Sequence, residues 1–376
     1  MVAEGWDEVE LGQLIDVKHG FAFKGEYFHD NPPGDILLTP GNFAIGGGFK
    51  YDKLKYYTGP VPDAYVLGPG DLLVSMTDLS KAADTLGYPA LVPEHKAGPR
   101  YLHNQRLGLV TIKEPARLNK RFLYYMMCTS VYRHDIIAGA TGTTVKHTSP
   151  TKIMQFRTSI PPLQVQESIA ETLGSLDDMI ELNRRTNRTL EAMARAIFKA
   201  WFIDFEPVKA KVAGSTGFLS MPPDVFDQLP EQLVESELGP VPTGWEAAPF
   251  SELVELFGGG TPRRNIPAFW DGRIPWFSVR DAPSEHDVWV IDTAESITEK
   301  GVENSSAKVM RAGTTIISAR GTVGRLALTA IPMAMNQSCY GVQGTDGVGD
   351  FFVYFSLQHA VTELQQHTHT DLFSIP

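Results

Sequence analysis

The sequence predicts an α+β protein in which two homologous globular α/β domains are separated by a long coiled-coil-type helix. Three observations predict it. Four short segments recur in the same order in the two halves. Within each half, short β-type runs sit between Gly/Pro turns and are followed by helical stretches. Between the halves, apolar positions follow a strict heptad spacing. The 376 residues, 43% of them hydrophobic, are enough for two or three domains with real cores.

The first domain is expected over residues 1–160. It opens on GWDEVELGQLIDV at Gly5, which recurs as GWEAAPFSELVEL at Gly244, with Leu14 and Leu253 at the same offset. LGPGDLLVS (67–75) pairs with MRAGTTIIS (310–318), and HNQRLGLV (103–110) with MNQSCYGV (335–342). FRTSIP (156–161) pairs with DLFSIP (371–376). The runs DILLTP, DLLVSM and LGLVTI read as strands, as do TTIISA and RLALTA in the second half. NKRFLYYMMCTSVYRHDII and DFFVYFSLQHAVTELQQ read as helices.

A central helical region follows over 161–206, started by Pro161-Pro162. Its seam runs through Ile169, Leu173, Leu176, Ile180, Asn183, Asn187, Leu190, Ala194, Ile197 and Trp201, in alternating steps of four and three. A helix over 163–204 would be roughly 60 Å long. Such a seam needs a partner helix, and its two asparagines would fix register. A bundle core helix is the alternative; the position between two repeats favours a spacer. Residues 207–240 are acidic and Pro-rich and read as a linker to the second domain, expected over 241–376.

The formal net charge is -11, which taken alone argues against a nucleic-acid binder. The distribution is uneven, however. Residues 95–160 hold 11 Lys/Arg against 2 Asp/Glu, whereas 205–239 hold 2 against 6. A local basic segment still shapes the field a ligand meets; a solvated face is the plainer reading. The two cysteines, Cys128 and Cys339, form neither a zinc spacing nor a disulfide framework, which fits a reducing cytoplasm. No apolar run approaches the roughly 20 residues of a membrane helix, and the N-terminus lacks a hydrophobic signal region.

Few motifs carry chemistry. Asn31-Pro32-Pro33 belongs to the signature of adenine-specific DNA methyltransferases, but that signature continues with an aromatic residue and here Gly34 follows. No Gly-rich crossover for S-adenosylmethionine accompanies it, so a turn before DILL is expected. FGGGTPRR (257–264) lacks the P-loop ending; its glycines and arginines would suit approach to a phosphate, or form a flexible loop. His367 and His369 could share one face of a strand, yet no further ligand is spaced to make a metal set. No catalytic triad or paired carboxylates stand out.

The chain resembles the DNA-specificity subunit of type I restriction-modification enzymes. IPPLQVQESIAETLGSLDDMIELNRRTNRTLEAMARAIFKAWFIDF is similar to that family's central helical region, from Pro-Pro-x-x-x-Gln through Asn-x-x-x-Asn to Phe-x-x-Trp-Phe. SELGPVPTGWEAAPFSEL looks like the entry to its second recognition domain, and GFAFKGEYF and GGGTPRRNIPAFWDGRIPWFSVRDA look like recognition-domain segments. The resemblance implies two target-recognition domains, each reading half of a split double-stranded DNA sequence, with the helix setting their spacing. It implies a non-catalytic, cytoplasmic subunit without cofactors. S-adenosylmethionine would belong to modification (methyltransferase) subunits, and ATP with Mg to restriction subunits. One departure concerns the second helical region that the family places after the second domain. The chain stops at Ile375-Pro376, so the seam is expected to lack an internal partner and to pair with a second copy, or the sequence is a shortened form. An adenine methyltransferase, or a scaffold or inhibitor that no longer reads DNA, remains the alternative.

Base readout favours Arg, Lys, Asn and Gln. The candidates are Asn104, Gln105, Arg106, Lys146 and His147 in the first domain, and Arg263, Arg264, Arg280, Arg320 and Arg325 in the second. An ordinary surface role is the alternative for each.

Overall fold

The computed structural model describes residues 5–371 apart from 51–52, 79, 81, 95–97, 238, 284–286 and 321. The chain divides into two compact units, Met1–Ile180 and Glu181–Pro376.

The first unit is built on two sheets. One is four-stranded, with Leu107–Ile112 between Ile15–His19 and Leu72–Ser75, and Pro89–Leu91 at its edge. The other is five-stranded, and in it Asp35–Leu38 runs parallel to Tyr101–His103. Alternation in these runs sends Leu72, Val74, Val17 and Val110 into one core, while Leu73 and Leu107 join another with Ile36, Leu38 and Phe43. The predicted helix over 119–137 is two helices, Lys120–Cys128 and Ser130–Ala138. Thr129 breaks it: the residue is extended, and its hydroxyl accepts from the Tyr132 amide to cap the second helix. The turn lets Tyr132 and Ile136 fold back into the core. Asp7–Glu10 pairs with Arg157–Ile160, so the two ends of the domain close on each other.

The unit boundary lies beyond residue 160 because the first turns of the central helix, Leu163–Phe198, pack into this core. They do so with a stripe beside the predicted seam: Gln166, Ala170 and Gly174 are buried. Of the seam itself, Ile169 touches the core, while Leu173, Leu176, Ile180, Asn183, Asn187 and Leu190 are exposed.

The second unit repeats the first. Val254–Gly258 pairs antiparallel with Cys339–Gly344, which pairs in turn with Thr315–Ser318, as Ile15–His19, Leu107–Ile112 and Leu72–Ser75 do. Trp270–Phe277 runs parallel to Ala334–Met335, matching the parallel pair in the first unit. Both copies follow that strand with a one-turn 3-10 helix closed by a capping box, Thr39 with Asn42 and Ser278 with Asp281. Gly5 and Gly244 take the same left-handed conformation, with φ 85° and 84°. In the fourth sequence match, residues 372–376 lie outside the described residues.

In this unit the central helix is partnered at its end, which corrects the expectation of a bare seam. Phe198 is 8% exposed, and its ring lies 5.7 Å from those of Phe352 and Phe355 on the C-terminal helix Asp350–Asp371. The seam positions Ala194, Ile197 and Trp201 are half-buried. The α-helix ends at Phe198 and passes through a π-turn, Lys199–Ile203, before Phe205 adopts a left-handed φ of 53°. The predicted linker is folded. It holds helices Glu206–Val212 and Pro223–Asp227 and the hairpin Leu233–Ser236 with Gly239–Pro242. Lys211 holds it together, its Nζ donating to the carbonyls of Asp227 at 2.8 Å and Leu229 at 2.7 Å over the Phe226 ring. His367 and His369 lie in the C-terminal helix rather than on a strand.

Candidate functional site

The segment HNQR and its repeat MNQS build the same turn. The Asn104 side-chain oxygen accepts from the Arg106 amide at 2.9 Å, and that of Asn336 from the Ser338 amide at 3.0 Å. The turn is closed by Leu107 N to Asn104 O and by Cys339 N to Asn336 O. A glycine lies against each: a Cβ on Gly20 would sit 2.1 Å from Asn104 O, and one on Gly259 1.9 Å from Asn336 O. Backbone bonds from Gly20 to Leu107 and from Gly259 to Cys339 use that approach. Two of the three glycines of FGGGTPRR, Gly259 and Gly260, are therefore packing residues: Gly260 in turn abuts Ser306 and Ala307.

In the first unit, Asn104 is buried and its oxygen is spent on the turn, whereas Gln105 and Arg106 are exposed at its tip. Lys146 and His147 form a short strand against Thr77–Asp78, with His147 Nδ1 3.1 Å from the Thr77 hydroxyl. Lys146 is half-buried and His147 exposed.

In the second unit, Arg264, Arg280 and Arg320 converge with Trp276, Glu295, Asn336 and Ser338 around one cavity of about 370 Å³. Arg264 is already engaged. Its guanidinium lies 4.0 Å from the Trp270 ring centre and 5.0 Å from that of Trp276, and both its terminal nitrogens bond to the Glu295 carboxylate. The Arg264 bond holds the Glu295 carboxyl below its ordinary range, with Arg280 adding to the effect. Arg280 and Arg320 are exposed. Arg325 lies apart, half-buried, donating to the carbonyls of Pro283 at 2.7 Å and Ala282 at 3.4 Å. Arg263 is exposed, and its carbonyl accepts from the Trp270 indole. Trp276, Glu295, Asn336 and Ser338 were not among the residues predicted from sequence. The match of HNQR with MNQS could have pointed to Asn336; nothing in sequence brings Glu295 to Arg264.

Other chemistry finds little support in the geometry. Asn31-Pro32-Pro33 is an exposed loop, and a Cβ on Gly34 would sit 2.9 Å from Tyr57 O at a φ of 144°. The place where a stacking aromatic would stand thus accepts only glycine. Burial pushes the Cys128 thiol up to about 12 and the Cys339 thiol to about 11, so neither is a thiolate at neutral pH. Among the described residues, no three His, Cys, Asp or Glu side chains are grouped to hold a metal ion.

His103, beneath the first turn, sets a pH dependence. Its Nε2 lies 2.9 Å from Leu107 O and so carries the proton, while Nδ1 is buried without a partner among the described residues. Burial pushes the imidazole down to about 4 from 6.5, against the opposing Leu107 carbonyl. The unfolded chain accepts a proton that the folded ring refuses. Stability that is full above pH about 6.5 is therefore lost as pH falls toward about 4, by on the order of 3 kcal/mol. His103→Gln keeps a donor without titrating and is expected to flatten this part of the curve. Urea unfolding midpoints across that range check it, and equal pH slopes for both proteins would contradict it.

The model of the type I restriction modification DNA specificity domain matches residues 3–192 and 242–372. The HindI specificity subunit of a type I restriction enzyme from Haemophilus influenzae is 27% identical over 277 residues, covering 63% of this chain and 60% of its own length. The EcoBI specificity subunit from Escherichia coli is 29% identical over 175 residues, covering 46% of this chain and 33% of its own. The chain thus spans less than two thirds of the length of these relatives. The crystal structure of a type I restriction-modification S subunit from M. genitalium superposes with a TM-score of 0.52 at 15% identity, over 99% of this chain and 81% of that one, and shares its fold.

Proposed function

We propose, from the premise that the chain belongs to the family of type I restriction-modification DNA specificity domains, that it selects a bipartite double-stranded DNA sequence, each repeat reading one half. The observation that carries this reading is the repeated Asn-Gln turn, which leaves Gln105 and Gln337 exposed at the same place in both copies. Two similar readers on one chain suit a split target better than a single active site does. The chain performs no catalysis in this reading. Methyl transfer with S-adenosylmethionine, and ATP-driven restriction, fall to partner subunits. Those subunits can also contribute phosphate contacts, which makes a net charge of -11 tolerable in a DNA reader. A gel shift tests it: the full chain with methyltransferase subunits should retain a specific duplex, and no retention with or without them would overturn the reading.

The exposed seam is the docking face for methyltransferase subunits or a second copy. Leu176 and Ile180 are 50% and 48% exposed, so replacing both with Glu should shift stability by only about 0.5 kcal/mol each. Burying two charges in a helix interface should instead weaken association at least about a hundredfold. Light scattering of the chain alone and with methyltransferase subunits reads this; unchanged masses in both would contradict it.

A further inference from the structure

We infer that the half-site read by the second domain contains guanine, contacted by Arg280 and Arg320. This rests on the DNA-reading proposal and names what one reader selects. Both arginines stand on fixed backbone. Arg280 lies inside the capping box, where the Ser278 amide and hydroxyl each meet Asp281 at 2.8 Å. Arg320 follows Ala319, whose amide bonds to Ser338 O at 2.8 Å. Both side chains are exposed at the same cavity, and neither has an ion-pair partner among the described residues. Arg264 differs, since Glu295 occupies its fork.

The capping boxes align Arg280 with Gly41. The bonds from Met76 to Arg106 O and from Ala319 to Ser338 O align Arg320 with Thr77, which is buried and bonded to His147. Phosphates are the same in every target, so residues that only grip them need not differ between two copies of one fold. Residues that read bases must differ when the halves differ. An exposed guanidinium without an ion pair matches guanine O6 and N7 in a bidentate pair. The second copy has two such groups where the first has a glycine and a buried threonine.

The test selects bound sequences from a randomised duplex pool, using the full chain assembled with its methyltransferase subunits. The wild type should enrich a two-part motif. Arg280→Ala and Arg320→Ala should each relax preference at a G·C pair in the same half by about ten- to a hundredfold, leaving the other half intact. Arg280→Lys and Arg320→Lys, which keep the charge and lose the fork, should relax the same positions. A fixed duplex carrying 7-deazaguanine there should lose affinity for the wild type and not for the alanine variant. Equal weakening of all sequences, relaxation at an A·T pair, or an unchanged motif would overturn the inference while leaving DNA reading in place. No enrichment by the wild type would reject DNA reading and the inference with it.

Discussion

Replacing Gln166 with Leu is expected to destabilise the first domain by about 3–5 kcal/mol. Gln166 is 0% exposed and satisfies three backbone groups. Its Nε2 donates to Arg117 O at 2.9 Å and Pro161 O at 2.8 Å, and its Oε1 accepts from the Asn119 amide at 3.0 Å. These bonds join the start of the central helix to the loop that caps Lys120–Cys128. Leucine leaves the buried Pro161 carbonyl unpaired and takes the partner from the part-buried Arg117 carbonyl and Asn119 amide. Gln166→Glu is expected to be at least as harmful at neutral pH, because its carboxylate would face two carbonyls, and to recover partly in acid once it can donate a proton. Amide exchange over 7–10 and 157–160 assigns the loss to this domain. Protection unchanged to within about 1 kcal/mol would contradict it.

Gly20→Ala and Gly259→Ala are expected to damage their own domains alike, by at least about 3 kcal/mol each. In both, the new Cβ meets a backbone carbonyl at about 2 Å, and no flexible side chain can yield. Gly258→Ala is the control: a Cβ there meets nothing within 4 Å, and its φ is not left-handed. Differential scanning calorimetry should show one transition lowered by Gly20→Ala, a different one by Gly259→Ala, and neither by Gly258→Ala. If Gly20→Ala and Gly259→Ala were tolerated, the shared turn would not be the fixed point of the repeat.

The repeat, the β-runs and the central helix were legible in sequence because each depends on local pattern. LGLVTI is a strand over the same residues, Leu107–Ile112. Pro-Pro-x-x-x-Gln marked the helix start, but its buried glutamine acts through distant carbonyls that no spacing reveals. The heptad seam suggested a coiled coil; the stripe of Gln166, Ala170 and Gly174 that docks the helix was masked because small and polar residues carry it. The folded segment 207–240 escaped because Lys211, a charged residue in a Pro-rich stretch, organises it through backbone carbonyls. Arg264, Arg280 and Arg320 were candidates by residue type; their meeting at Glu295 and Trp276 is tertiary.

We propose that this chain chooses a split DNA sequence for methylation by partner subunits. Sequencing the host methylome with and without the gene tests it most directly. The prediction is a motif of two defined segments at a fixed separation, methylated at adenine when the gene is present and unmethylated when it is deleted. An unchanged methylome, or loss of a single continuous motif, would contradict it.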